Sequence, residues 1–162
     1  MIRVLFVCLG NICRSPMAEA VFNSLVEKNG LAGLIDSDSA GTSDYHIGEP
    51  PDSRTMDVVQ KYHLNLDHQG RQFTTHDFHK FNYIMAMDQS NLSNIKRLLP
   101  SQASDDTIFL MRDFDDKAGA KNVPDPYWSE ADGFEEVYQI LLRSCQNFID
   151  YLKKNHTDLA RT

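Results

Sequence analysis

The stretch VLFVCLGNICRSP, residues 4–16, determines the architecture that this sequence predicts. An apolar run at residues 2–7 is typical of a buried strand, and a short loop containing Gly10 follows it. Ser15 and Pro16 are a favoured N-cap and a favoured first helical residue, so a helix is predicted to begin there. The loop therefore opens onto a helix N-terminus, where unpaired N–H groups and the helix dipole favour a bound anion.

The first and last functional groups of this loop, the Cys8 thiol and the Arg14 guanidinium, suggest its chemistry. A helix N-terminus stabilises a nearby thiolate, which makes Cys8 a candidate nucleophile. The planar fork of Arg14 matches two oxygens of a phosphate group. Together they predict attack by sulfur on a phosphoryl group, giving a phosphocysteine that water later removes. The ATP-binding pattern G-x-x-x-x-G-K-[ST] is absent from the loop, which disfavours binding of a nucleoside triphosphate.

The extended motif VLFVCLGNICRSPMAE, residues 4–19, closely resembles the signature of the low-molecular-weight protein tyrosine phosphatases. The resemblance covers almost the whole chain. Four further segments carry it: DSAGT at 38–42, GEPPD at 48–52, MDQSNL at 87–92 and DPY at 125–127. It implies a hydrolase that acts on phosphotyrosine in proteins.

Length and composition indicate a single domain with a proper core, because the chain has 162 residues of which 41% are hydrophobic. We expect the domain to span residues 1–154 and residues 155–162 to form a solvated tail. The formal net charge of −7 opposes binding to nucleic acid or to an anionic membrane. No segment is apolar for long enough to cross a bilayer, and the N-terminal apolar run is too short for a signal peptide.

Strands are predicted to alternate with helices, which is typical of an α/β domain with an open parallel sheet covered on both faces. The predicted strands are residues 2–8, 34–42, 81–87 and 107–111, and the predicted helices are residues 16–28, 52–62, 88–99 and 133–154. The family resemblance implies a doubly wound four-stranded sheet in the order 2-1-3-4. That order would put the Cys8 loop at the switch in strand order, where such sheets bind ligands.

The general acid cannot be chosen from residue types alone, because the sequence has 23 carboxylates. A phenolate leaving group needs a proton donor, and the resemblance selects Asp125, which is fixed between Pro124 and Pro126. Tyr45, Tyr127 and Trp128 match family positions that form the walls of a slot for the phosphotyrosine ring. Trp128 departs from the family pattern, in which this position is often Tyr or variable.

The predicted phosphate-binding residues form one continuous loop: Leu9, Gly10, Asn11, Ile12, Cys13, Arg14 and Ser15. The Ser15 hydroxyl has two competing roles, as a helix cap or as a hydrogen-bond donor to the Cys8 sulfur, and we favour the second. Asn11 suits a left-handed backbone and a bracing role, and in the similar phosphatases the matching Asn is held by a Ser, here Ser39. His68 is either a further support of this network or a surface histidine.

The three cysteines form no disulfide framework, which predicts a reducing, cytoplasmic location. Cys13 either fills space or forms a reversible disulfide that protects Cys8 from irreversible oxidation. Cys145 belongs to the apolar stripe of the last predicted helix. His76 and His79 have no third ligand at a suitable spacing, so we expect neither a metal nor a cofactor.

Three other functions compete with a tyrosine phosphatase. An arsenate reductase of the same fold needs further relay cysteines, whereas the corresponding segments here carry Met85, Met87 and Asn91. A protein arginine phosphatase has a similar loop with Thr in place of Ile12. A catalytically idle phosphate-binding module would tolerate loss of the nucleophile or the acid, and this sequence keeps both. The predicted partners are a phosphotyrosine-containing protein and inorganic phosphate or another oxyanion, and the predicted state is a monomer or weak dimer.

Overall fold

The computed structural model describes residues 1–117, 119 and 121–159, in which strands alternate with helices. The elements in chain order are β1 (Ile2–Cys8), α1 (Arg14–Lys28), β2 (Ile35–Gly41), α2 (Ser53–Lys61), α3 (Asp77–Lys80), β3 (Tyr83–Ala86), α4 (Gln89–Leu98), β4 (Ile108–Leu110), a 3-10 helix (Met111–Phe114) and α5 (Ala131–Asn155).

The four strands form one parallel sheet in the order β2-β1-β3-β4, which confirms the predicted architecture. Strand β1 lies at the centre, where Val4 pairs with Ser37 on one side and with Tyr83 on the other. The chain leaves β1 toward β2 on one side and later returns to β3 on the other. Cys8, the last residue of β1, therefore lies at the switch in strand order.

The sheet has a hydrophobic core on each face because successive side chains of β1 point in opposite directions. Val4 and Phe6 belong to the larger core, which α1 and α5 cover. Leu5 and Val7 belong to the smaller core on the other face, together with Ile95 of α4. The predicted covering of both faces by helices is confirmed.

One local prediction about helices is wrong, and one short helix was not predicted. Helix α1 begins at Arg14, and its N-cap is Cys13, without a side-chain hydrogen bond, so Ser15 lies inside the first turn. The reason is that the Ser15 hydroxyl contacts the Cys8 sulfur instead. Helix α3 was not predicted because it depends on hydrogen bonds rather than apolar periodicity: the Asp77 carboxylate accepts bonds from the Arg71 guanidinium.

The predicted solvated tail beginning at residue 155 is also wrong for two residues, His156 and Leu159, whereas Thr157 and Asp158 are exposed. His156 Nε2 lies 2.8 Å from the Tyr83 hydroxyl, and Leu159 is 2% exposed and part of the larger core. The segment is too short to show a periodic pattern, so its packing could not be recognised in the sequence. Residues 160–162 of the predicted tail lie outside the described residues.

Helix α5 is the longest element, with 25 residues, and its buried side packs on α1. Phe22 of α1 contacts Phe6 of the sheet, with ring centroids 5.3 Å apart, and Phe148 of α5, with centroids 5.8 Å apart. Among the described residues, no helix combines the length and the apolar character that crossing a membrane requires.

Candidate active site

The Cys8 sulfur is held at the bottom of the loop that connects β1 to α1. Its Sγ lies 3.0 Å from Ser15 Oγ, and the Asn11 amide donates a hydrogen bond to it at 3.3 Å. Cys8 is only 3% exposed. Hydrogen-bond donors around a sulfur stabilise the thiolate, which is the nucleophilic form of cysteine.

Several amide groups of the same loop are free to bind an anion. The N–H groups of Gly10, Ile12 and Cys13 have no hydrogen-bond partner within the described part of the chain. They precede the first turn of α1, whose dipole has its positive end at this loop. Unpaired N–H groups at a helix N-terminus provide a binding site for phosphate.

Arg14 supplies the positive charge of the loop, although its side chain is only 3% exposed. Its Nη1 donates to Asp88 Oδ2 at 2.7 Å and to the Val123 carbonyl at 3.0 Å. Burial opposes the charge, but Cys8 and Asp88 outweigh it and raise the pKa of Arg14 above its usual value. The guanidinium is therefore a permanent cation held in one orientation.

Asp88 contacts Arg14, whereas the sequence predicted Asp88 only as a helix cap. Its Oδ1 accepts the Asn91 amide at 2.7 Å and caps α4, while its Oδ2 binds Arg14. Its position at the end of β3, which neighbours β1, brings it to Arg14. The only sequence signal was its place in the MDQSNL match.

Asn11 braces the loop from behind. Its φ of 59° is in the left-handed region, which Asn tolerates better than most residues. Its Nδ2 donates to Ser15 Oγ at 2.8 Å and to Ser39 Oγ at 3.1 Å, and its Oδ1 accepts from the Arg71 amide at 3.0 Å. His68 Nε2 lies 2.7 Å from the same Oδ1, so His68 is a part of this network and not a surface histidine.

A buried carboxyl group, Glu19, extends the network and was not recognised in the sequence. Ser39 Oγ donates to Glu19 Oε1 at 2.8 Å, and His68 Nδ1 lies 3.4 Å from the same oxygen. Burial raises the pKa of Glu19 from 4.5 to about 7, and burial lowers the pKa of His68. The side chains of Glu19, Asp38 and His68 offer three potential metal ligands within 4.8 Å of one another. Two of them already have hydrogen-bond partners, because Ser39 binds Glu19 and Asn11 binds His68.

Asp125 lines the same cavity as Cys8 and Arg14. Its side chain is 42% exposed, and its Oδ2 is 3.6 Å from Arg14 Nη2. The Tyr127 amide donates to its Oδ1 at 3.1 Å, which orients the carboxyl group. Asp125 is therefore close to the phosphate-binding groups and accessible to solvent.

Arg54 of α2 ties the segment that carries Asp125 to the rest of the site. It donates to the carbonyls of Tyr127, at 3.0 Å, and of Ser129, at 2.9 Å. The Asp52 carboxylate holds the other side of the guanidinium, and the Asp52 amide donates to the Ile12 carbonyl at 2.9 Å. The loop around Cys8 and the segment around Asp125 are thus linked through two side chains.

One cavity of about 270 Å³ brings most of the predicted site residues together. Its lining residues are Cys8, Leu9, Gly10, Ile12, Cys13, Arg14, Tyr45, His46, Asp125, Tyr127 and Trp128. Asn11 and Ser15 are buried behind the loop, so they support the cavity but do not line it. His46 was not predicted; its Nδ1 lies 2.5 Å from Glu49 Oε2.

The rim of this cavity is aromatic and open to solvent. Tyr45 is 70% exposed and Trp128 is 90% exposed, while Tyr127 packs edge-on against Trp128 with ring centroids 4.8 Å apart. Exposed rings that are not needed for the core are available for contacts with a ligand.

The cysteines differ in their surroundings, and all three are free thiols. Burial, with Asp52 nearby, raises the pKa of Cys13 to about 12, so its thiol stays protonated at neutral pH. Cys145 is fully buried in the larger core, as its position on the apolar stripe predicted.

Comparisons with known proteins agree with this geometry. The family model described as low molecular weight phosphotyrosine protein phosphatase matches residues 3–158. The phosphatase of that name from Schizosaccharomyces pombe is 48% identical over 149 residues, which are 91% of this chain and 95% of the relative.

Solved structures show the same similarity. YfkJ from Bacillus subtilis superposes with a TM-score of 0.90 at 39% identity, covering 96% of this chain and 97% of that one. A Drosophila arginine phosphatase superposes with a TM-score of 0.87 at 35% identity, covering 93% and 97%. On the family match and these identities, the chain belongs to the low molecular weight phosphotyrosine protein phosphatase family.

Proposed function

We propose that this chain hydrolyses phosphotyrosine in proteins through a phosphocysteine intermediate. In the first step the Cys8 thiolate attacks phosphorus, the bond from phosphorus to the tyrosine oxygen breaks, and Asp125 gives its proton to that oxygen. Arg14 and the free loop amides bind the non-bridging oxygens as their charge changes. The observation that carries this proposal is the Cys8 sulfur, held 3.0 Å from Ser15 Oγ in a loop that ends in a buried arginine.

The second step releases phosphate. The Asp125 carboxylate takes a proton from water, the water oxygen attacks phosphorus, and the bond between phosphorus and sulfur breaks. The departing sulfur becomes a thiolate again, and a hydrogen bond from Ser15 Oγ stabilises it. The contact between Asn11 Nδ2 and Ser15 Oγ supports this role, because the hydroxyl oxygen accepts that bond and its proton is left for one of two acceptors. The Cys8 sulfur lies 3.0 Å from Ser15 Oγ and the Ala40 carbonyl lies 3.4 Å from it, so the sulfur is the nearer of the two.

The walls of the cavity favour an aromatic substrate. Ile12 provides an apolar surface beside the bound phosphate, and Tyr45, Tyr127 and Trp128 offer rings above it. A phosphoarginine would have to place its guanidinium against Ile12, at a cost in desolvation. The arginine phosphatase among the similar structures makes this the alternative that the experiment must test.

An arsenate reductase has less support. That chemistry needs additional thiols near Cys8. The positions that correspond to relay cysteines hold Met85, Met87 and Asn91, and all three side chains are buried. Cys145 is sealed in the core. Cys13 is the only other cysteine that lines the cavity, among the residues the structure describes.

The proposed setting is a reducing cytoplasm, because a free nucleophilic thiol survives there. The proposed partners are a phosphotyrosine-containing protein and inorganic phosphate or another oxyanion, and we propose a monomer or weak dimer. A reversible disulfide between Cys8 and Cys13 remains part of the proposal. Since Cys13 stays protonated at neutral pH, we expect this disulfide to form slowly.

The test compares the wild type with Cys8→Ser. The wild type should hydrolyse p-nitrophenyl phosphate and phosphotyrosine peptides, and it should act poorly on phosphoarginine. Cys8→Ser should lose hydrolysis and still bind phosphate, because the amides and Arg14 remain. Appreciable turnover by Cys8→Ser would exclude the phosphocysteine mechanism, and no turnover by the wild type would favour the idle binding module.

A further inference from the structure

A second groove lies beside the catalytic cavity and shares two of its walls. We call it the α4 groove and define it by Leu9, Ser43, Tyr45, Asn94, Arg97 and Leu98. Its volume is about 460 Å³, which is larger than that of the catalytic cavity. Leu9 and Tyr45 line both spaces, so a ligand that leaves the catalytic cavity on this side enters the α4 groove.

The wall between the two spaces is held in place by backbone hydrogen bonds. The Thr42 amide donates to the Cys8 carbonyl at 2.9 Å, and the Ser43 amide donates to the Leu9 carbonyl at 3.0 Å. Ser43 Oγ adds a bond to the Leu9 carbonyl at 2.9 Å, and Gln72 Nε2 donates to the Thr42 carbonyl at 3.2 Å. The groove is therefore fixed relative to the nucleophile.

The far wall of the groove carries a cation with no partner of its own. Arg97 lies in the last turn of α4 and is exposed, and within the described part of the chain no side chain or carbonyl binds it. Its neighbour Lys96 differs, because Lys96 Nζ lies 3.4 Å from Asp105 Oδ2. In a chain with a net charge of −7, an unpaired arginine in a groove beside the active site favours an acidic ligand group.

Apolar surface accompanies this cation. Leu98 is 45% exposed and Leu9 is 40% exposed, and both line the groove. Asp44 is a further lining residue, and its carboxylate would repel a second acidic group. The groove therefore matches an extended segment that carries one acidic side chain and at least one apolar side chain.

We propose that the α4 groove binds the substrate residues next to phosphotyrosine, with an acidic side chain on Arg97 and an apolar side chain on Leu9 and Leu98. The proposal rests on the proposed phosphotyrosine phosphatase activity. The two shared lining residues, Leu9 and Tyr45, support this occupant. An extended chain advances about 3.3 Å per residue, so substrate residues that leave the catalytic cavity on this side reach the groove within a few positions of phosphotyrosine.

The experiment measures kcat/KM for pairs of phosphotyrosine peptides that differ by Glu or Gln at one of the three positions on either side of phosphotyrosine. An exposed ion pair should make the wild type prefer Glu at one or two positions by about two- to fivefold. Arg97→Gln should abolish this preference. Lys96→Gln, which removes the adjacent positive charge outside the groove, should retain it, and raised salt should weaken it.

Each outcome decides the proposal. A wild type without a Glu preference at any position, or an Arg97→Gln variant that keeps it, would overturn the proposal. Equal losses in Arg97→Gln and Lys96→Gln would mean that long-range charge acts instead of the groove. A dimer in sedimentation that Arg97→Gln dissociates, without any Glu preference, would assign the groove to a second copy of the chain. Failure of the wild type to hydrolyse p-nitrophenyl phosphate would instead refute the proposed function.

Discussion

Replacing Asp88 by Asn tests whether the orientation of Arg14 determines the rate. The change removes the carboxylate that lies 2.7 Å from Arg14 Nη1, and Arg14, at 3% exposure, cannot replace this partner with bulk water. A hydrogen bond between charged groups contributes about 1.5 to 3 kcal/mol. If the transition state depends on all of it, kcat/KM should fall by about 10- to 150-fold.

The assay should compare p-nitrophenyl phosphate with phosphotyrosine, because the two differ in how much their leaving groups need a proton. Arg14 contacts the phosphoryl oxygens in the proposed mechanism, so Asp88→Asn should lower kcat/KM equally for both substrates. Asn is as good an N-cap as Asp, which should preserve the bond to the Asn91 amide and the start of α4. A urea unfolding curve verifies that the variant is folded under the assay conditions.

Asp113→Asn is the matched control for this prediction. The Asp113 carboxylate accepts the Leu110 amide at 3.0 Å, as a capping group that does not line the catalytic cavity. Its activity should stay within about twofold of the wild type. A similar small effect in Asp88→Asn, or a loss that depends on the leaving group, would refute the positioning role of Asp88.

Four further variants test other parts of the site. Arg14→Lys should lower kcat by about 10²- to 10³-fold, since an ammonium cannot bridge two phosphoryl oxygens. Asp125→Asn should lower the rate of phosphocysteine formation, measured in a rapid-mixing burst, by about 10²- to 10⁴-fold with phosphotyrosine and by less with p-nitrophenyl phosphate. Equal losses with both substrates would mean that another residue is the acid. The raised pKa of Glu19 means that the folded chain holds this proton more tightly than the unfolded chain, so the Glu19 contribution to stability should fall as pH rises from 4.5 to about 7. Glu19→Gln should remove that slope in urea unfolding measured between about pH 5 and pH 8, and an unchanged slope would contradict the assignment. Asn11→Ala should lower the free energy of unfolding by more than about 2 kcal/mol, because Ala is strained at a φ of 59° and the side-chain hydrogen bonds of Asn11 are lost. A smaller loss would show that the loop keeps its conformation without these hydrogen bonds.

The sheet and the anion loop could be predicted because their signals are local. A continuous apolar run marks β1, and capping aspartates mark α2 and α4: the Asp52 side chain accepts the Arg54 amide, and that of Asp88 accepts the Asn91 amide. Ser15 shows the limit of such signals. Its residue type suits an N-cap, but the contact with Cys8, seven positions away, takes precedence over the local preference.

The remaining contacts of the site join positions that no sequence pattern connects. Asp88 reaches Arg14 because β3 and β1 are neighbours, and Arg54 reaches Ser129 because α2 lies beside the start of α5. Each partner alone resembles an ordinary surface charge in the sequence. Burial of Glu19 is similarly invisible, because carboxylates on a helix are usually solvated.

The packing of α5 on α1 has a consequence for biosynthesis. A ribosome makes the nucleophilic loop and α1 long before it makes the segment with Asp125 and the helix that follows. In that interval Phe22 lacks its contact with Phe148, so the apolar side of α1 faces solvent or a chaperone. The nascent chain therefore contains Cys8 before it contains Asp125. The mechanism that we propose needs both side chains, so it predicts that turnover begins only after the last third of the chain has been made and folded.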